Sequence, residues 1–333
     1  MRLTNLVIPS LLATITAASP QLQAGPRDGT SVSASTGCGK PPPVRPGHWY
    51  SAETAGGREY RIWLPQSYDP GQPTPLILSY HGATRNIAHQ IRADRLSDPA
   101  FNDDHLVAYL QGARRDAPDP RSTTWQGAPD APEGVDDVAF TAAVLDAAEA
   151  LLCVDAARVY ATGHSQGGGF IGARLACDAA TSGRIAAFAP VSGAFYNASV
   201  DRASRCDPPH LENACEAPRT RTQNGSRTPM LELHGGADDV ISFHGGFRKG
   251  ACLPAIRHWA KDWARRNRLE LRDDVVPVEG TRNGVQYAYG DGLVTLVYAG
   301  DDVGHVWMSR DAGNADLDAS AWIMDFFRKY SLD

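Results

Sequence analysis

Short apolar, β-branched runs alternate along the chain with stretches in which apolar residues recur every three or four positions. Tyr60–Leu64, Leu76–His81, Leu106–Leu110, Arg158–Gly163, Ile185–Val191, Met230–His234 and Leu293–Tyr298 read as strands. Several are apolar at successive rather than alternate positions, the pattern of strands covered on both faces. Between them, Val138, Ala142, Leu145, Ala148 and Leu152 repeat at helical spacing behind Asp136 and Asp137 at an N-cap. A second helix follows Ser165 and carries Phe170, Ile171 and Leu175. A third starts near Pro254 with Ile256, Trp259 and Trp263, and a fourth covers Leu317–Tyr330 with Trp322, Ile323, Phe326 and Phe327. This alternation predicts one α/β domain, a mostly parallel sheet with helices on both faces.

Two stretches escape both periodicities: Ala113–Gly134, which holds Trp125, and Phe195–Thr228, which holds Cys206 and Cys215. Loops this long inside a domain are often functional walls or lids. At the other end, a basic start and an apolar run Leu6–Ala18 closed by small residues predict a signal peptide over 1–18, with cleavage at Ala24 as an alternative. The run is too short to span a bilayer, which takes roughly 20 residues. Residues 19–37 lack periodicity and read as a disordered leader, leaving 38–333 as the α/β domain.

Composition narrows the class without naming a chemistry. The chain has 333 residues, 42% of them hydrophobic and 21% charged, with a net charge of −6. That is globular composition, and without basic runs it does not fit a nucleic-acid or membrane binder. Six cysteines beyond a signal peptide point to disulfides in a secreted protein. Cys153 precedes the strand leading to Ser165 and Cys177 ends the helix leaving it. Both are expected at the lower edge of the sheet, so a Cys153–Cys177 bridge is predicted. The pairing of Cys38, Cys206, Cys215 and Cys252 stays open. Sequons at Asn197 and Asn224 mark candidate glycosylation sites.

The chemistry enters at Gly163-His164-Ser165-Gln166-Gly167, which matches G-x-S-x-G between a strand and a helix. A serine hydroxyl is a weak nucleophile at neutral pH and needs a histidine base oriented by a carboxylate. After such an elbow the acid and then the base follow on loops beyond later strands. Asp238 lies just past Met230–His234, and His305 follows Leu293–Tyr298, giving the order Ser165, Asp238, His305. Asp239 rivals Asp238, and His244 and His258 rival His305. Two backbone N–H groups are needed for the developing oxyanion. Gln166 supplies one, and Ala83, with Thr84 as the alternative, the other. Trp125 is a candidate stacking platform or a loop anchor, and Trp307 a candidate pocket wall.

Together the segments CGK, YHGAT, GVDDVAF, ATGHSQGGGF, HGGADDVI and VGHVW resemble secreted fungal feruloyl esterases of carbohydrate esterase family 1. The resemblance runs from Cys38 to the C-terminus, broken in the two long loops. It implies an α/β-hydrolase fold, no cofactor, and hydrolysis of hydroxycinnamoyl esters on arabinoxylan; a secreted monomer acting on feruloylated arabinoxylan or its oligosaccharides is the expectation. Acetylxylan esterases and polyhydroxyalkanoate depolymerases share these motifs, so either remains an alternative. Two other readings compete. Gly167, Gly169 and Gly172 satisfy the dinucleotide pattern G-x-G-x-x-G, but no acid ends the next strand. Cys206, His210 and Cys215 lack a fourth ligand for a metal site.

Overall fold

The computed structural model describes residues 33–115, 122–196, 198–200, 202–212, 215 and 227–332. Ten strands form the main sheet: β1 (Trp49–Glu53), β2 (Glu59–Trp63), β3 (Thr74–Tyr80), β4 (Leu106–Leu110), β5 (Val154–His164), β6 (Ala187–Val191), β7 (Met230–His234), β8 (Asp274–Pro277), β9 (Val285–Tyr289) and β10 (Val294–Tyr298). They lie in the order β1-β2-β4-β3-β5-β6-β7-β10-β9-β8. The strands β4-β3-β5-β6-β7-β10 are all parallel. Antiparallel strands close both edges, β1 and β2 on one side and β9 and β8 on the other.

Every run read as a strand in the sequence lies in this sheet. The strands of this sheet missing from that reading are the edge strands β1 and β8 and, next to β8, β9. All four residues of β8 are exposed and one is proline, so no apolar run marks it.

Alternate residues of the central strands feed two cores. Leu76, Leu78, Leu106 and Ala108 join Phe140 and Val144 of α2 (Asp137–Leu151), Phe170 of α3 (Gln166–Ala173) and Trp259 of α5 (Ile256–Arg266). On the other face, Ile77, Val107 and Tyr109 join Ile87 of α1 (Ile87–Asp94) and Ile323 and Phe327 of α6 (Ala319–Phe327). Helices therefore cover both faces of a mostly parallel sheet, which is why those strands can be apolar throughout. The short helix α1 has only Ile87 and Ile91 as large apolar residues, too few to mark a stripe in its sequence. It starts at Asn86, whose side chain accepts a hydrogen bond from His89 N–H.

Three disulfides form, and they correct the expected pairing. Cys153 bonds Cys38, Cys177 bonds Cys215, and Cys206 bonds Cys252. The Cys153–Cys177 geometry assumed one helix descending all the way from Ser165. In fact α3 stops at Ala173, and the chain passes through a 3-10 turn at Leu175–Cys177 into α4 (Ala179–Ser182). Meanwhile Ser35 N–H donates to Val154 O and Gly37 N–H to Glu149 O, which brings Cys38 beside Cys153. Residues 33–37, expected in a disordered leader, are thus tied to the foot of β5; residues 19–32 lie outside the described residues. Among the described residues no helix is long and apolar enough to cross a membrane.

Candidate active site

The parallel strands β3, β5, β7 and β10 send the loops carrying the motif residues to one edge of the sheet, beyond their carboxyl ends. β5 ends at His164 and α3 begins at Gln166, leaving Ser165 as a one-residue corner with φ 55° and ψ −116°. A non-glycine residue there is strained, and the surroundings hold it. Ser165 N–H donates to Val191 O, and its own carbonyl accepts from Gly169 and Ala194. The flanking glycines are sterically required. A Cβ on Gly167 would stand 2.5 Å from Tyr80 O, and one on Gly163 2.8 Å from Gly167 C.

Ser165 Oγ lies 2.8 Å from His305 Nε2, and His305 Nδ1–H donates to Asp238 Oδ2 at 2.7 Å. The other oxygen, Asp238 Oδ1, accepts from the backbone N–H groups of Val240 and Ile241. The acid and base loops also bond directly, Gly236 N–H to Gly300 O and Ala237 N–H to Val303 O. Burial pushes the Asp238 carboxyl up. The hydrogen bonds and charges of His234 and His305 outweigh that and hold it well below the usual carboxylate range. Asp238 is therefore an anion able to orient an imidazole and to stabilise its protonated form.

The rival residues lie elsewhere. Asp239 and His244 are exposed, and His258 faces Asp262. Asp301 and Asp302 bond to Tyr298 and Arg282. His81 is buried, accepts from Gly112 N–H and is lowered to about 4, chiefly by burial, so it is neutral.

Gln166 and Ala83 line the cleft beside Ser165. Gln166 is anchored by its side chain, which accepts from Thr124 Oγ1 and donates to Asp130. Thr84 N–H donates to Thr123 O, so that group is committed elsewhere.

No protein-family model matches the chain. It is 28% identical over 296 residues to feruloyl esterase C of Emericella nidulans, covering 88% of this chain and 90% of that one. It is 31% identical over 215 residues to a probable feruloyl esterase C of Aspergillus niger, covering 64% of this chain and 65% of that one. Among solved structures, it is similar to an acetyl xylan esterase from Aspergillus awamori, with TM-score 0.58 and 17% identity over 85% of this chain and 99% of that one. The last likeness carries the fold alone. These sequence relatives are named feruloyl esterases, and the fold is the α/β-hydrolase fold.

Of the two roles expected for Trp125, the structure leaves the loop anchor, and Trp307 stands at the cleft wall. Trp125 is fully buried, its Nε1–H donates to His81 O, and its ring stacks on Phe170. It cannot be a platform for a ligand; it pins the long loop beneath the loop that carries Ala83. The same loop is held farther along, where Gln126 N–H donates to Asp137. Trp307 does line the cleft, but it is only 5% exposed and donates to Ser320 Oγ.

The rival chemistries lose their atoms. Cys206 and Cys215 are consumed in disulfides, and among the described residues no group of three or more His, Cys, Asp or Glu could hold a metal. The dinucleotide glycines are filled by protein: a Cβ on Gly169 would fall 2.0 Å from Ala194 O. Asn197 and Asn224 lie outside the described residues.

Two features were not found by sequence reasoning. Glu232 and His234 are buried side by side in β7, with His234 Nδ1 2.7 Å from Glu232 Oε1. Two ionisable residues at alternate positions of an otherwise apolar strand were the available signal. The second is the cleft's far wall, Tyr196, Arg248 and Lys249, together with Arg85, His89 and Arg92 before and along α1. No local pattern joins those positions.

Proposed function

We propose that this protein is a secreted serine esterase that hydrolyses feruloyl and related hydroxycinnamoyl esters of plant cell-wall arabinoxylan. The hydrogen-bonded line Asp238–His305–Ser165 at a cleft of about 730 Å³ carries the reading. That volume suits a small-molecule ester with part of its glycan. The sequence relatives named above support the acyl group, and three disulfides support the secretory route.

In this reading His305 takes the Ser165 proton as Oγ attacks the ester carbonyl, and Asp238 stabilises the imidazolium that forms. The tetrahedral oxyanion accepts hydrogen bonds from Gln166 and Ala83 N–H. The C–O bond to the sugar breaks, and the sugar oxygen leaves with the proton from His305. Water, deprotonated by His305, then attacks the feruloyl-Ser165 ester, releasing ferulate and restoring the serine.

The test is a parallel assay of wild type and Ser165→Ala on methyl ferulate, acetylated xylan and polyhydroxybutyrate. Ferulate release by wild type alone is expected. Acetate release without ferulate release would turn the assignment to an acetylxylan esterase, and activity in Ser165→Ala would remove the nucleophile.

A further inference from the structure

The chain carries a net charge of −6, yet its active-site cleft is cationic. Among the described residues, Arg85, Arg92, Arg95, Arg248 and Lys249 line it, against a single carboxylate, Asp311. Some of this charge is neutralised inside the protein. Arg95 pairs with Asp98 and Asp311, and Lys249 pairs with Asp130. Arg85 and Arg92 have no carboxylate partner among the described residues, and the buried Nε of Arg248 has no acceptor there. Between Arg85 and Arg92 sits His89, whose Nδ1 is likewise buried without a partner. Burial and the charges of both arginines lower the His89 pKa, so it stays neutral and adds a polar atom rather than another charge.

This arrangement is built. Positions 85, 89 and 92 follow the i, i+4, i+7 spacing of one helix face, from the residue before the N-cap into α1. Across the cleft, Arg248 and Lys249 sit at the turn between two paired segments, Gly246–Arg248 and Ala251–Leu253. The Cys206–Cys252 disulfide ties that ribbon to the long loop, and Tyr196 lines the cleft beside Arg248. Like charges gathered without counter-charges repel one another and weaken the folded state. A ligand carboxylate relieves that repulsion, and an arginine fork matches carboxylate geometry.

We infer that the cationic wall of the cleft is a carboxylate-binding subsite, and that the preferred substrates are esters carried on a glycan that also bears a uronate. The inference rests on the feruloyl esterase reading and extends it to the alcohol side. Feruloyl and acetyl groups are themselves uncharged, so the anion must belong to the sugar. Electrostatic complementarity of this kind acts on encounter and on orientation of the glycan over Ser165.

The experiment compares two feruloylated arabinoxylo-oligosaccharides that differ only in one glucuronate substituent, using the full-length protein at low ionic strength. The expected kcat/KM ratio favours the uronate-bearing ester by roughly three- to tenfold, as exposed charge pairs allow. In Arg85→Gln/Arg92→Gln that ratio falls to about one. A wild-type ratio near one, or a preference that survives the double substitution, overturns the subsite. If neither ferulate ester is cleaved, the feruloyl reading fails separately, and the same ratio on a matched acetylated pair decides the subsite.

Discussion

His234 stands behind Asp238 as His305 stands before it: His234 Nε2 lies 3.4 Å from Oδ2, the carboxylate oxygen that accepts from His305. The same Nε2 is 2.8 Å from Ile241 O, which can only accept, so it carries a proton. On the other side of the ring Glu232 receives Nδ1. Burial pushes the His234 pKa down, but the bonds to Asp238 and Glu232 outweigh it and raise it from 6.5 to about 9.

The sign of that shift predicts a pH dependence of stability. A histidine whose folded pKa lies above its unfolded value contributes stability that is complete below the unfolded pKa and is lost as pH rises through the folded one. Between pH 6.5 and 9 the folded protein binds the extra proton, so wild-type Tm should fall across that window. In His234→Gln the fall over the same range should be shallower. Thermal unfolding followed at several pH values checks this, and equal slopes would rule out His234 as the source.

Ser165 holds a positive φ that a glycine adopts without penalty and an alanine does not. Both Ser165→Ala and Ser165→Gly should lose at least about four orders of magnitude in kcat, as expected when a nucleophile is removed. Their stabilities should diverge, with Ser165→Gly more stable than Ser165→Ala by about 1 kcal/mol through relief of backbone strain. Chemical denaturation of the two variants measures the difference. Equal midpoints would mean that the corner stores no strain.

Trp125 tests the difference between an anchor and a platform. Removing a fully buried ring that packs on Tyr80 and Phe170 should cost Trp125→Ala about 3–5 kcal/mol of stability. Trp125→Phe keeps most of the packing but loses the bond to His81 O, two residues before Ala83. Its expected signature is a lower kcat with KM for methyl ferulate unchanged. A raised KM at full kcat would instead mark direct contact with substrate.

The Cys206–Cys252 bond spans 46 residues and braces the ribbon that carries Arg248 and Lys249. Replacing both cysteines with serine should cost about 2–4 kcal/mol, the range for closing a loop of this kind. It should also raise KM for glycan esters more than for methyl ferulate, because the loosened wall faces the sugar. Tm and paired KM measurements decide it, and an unchanged Tm would count against the brace.

What could be read from the chain alone was what short-range physics dictates. The apolar runs had to be strands covered on both faces, and Gly163 and Gly167 had to flank Ser165 because no side chain fits a corner packed on Tyr80 O. The order Ser165, Asp238, His305 followed because each residue sits just past its own strand, so its distance from the sheet edge is set locally. The edge strand β8 and the short helix α1 were invisible for the converse reason: neither carries enough large apolar residues to mark a buried face.

Tertiary structure decided whatever depended on which distant segments meet. Cys153 met Cys38 rather than Cys177 because residues 33–37 run beside the foot of β5, a contact across 115 positions of sequence. Trp125 became an anchor because its loop folds under His81. The cationic wall exists only where α1, the ribbon around Arg248 and the His305 loop close on one cleft. The sequence by itself determined the order of Ser165, Asp238 and His305 and the strand ends that carry them, since sterics and hydrogen bonding act over a few residues. Only the packed fold determined what surrounds them, since burial and charge are summed over neighbours in space.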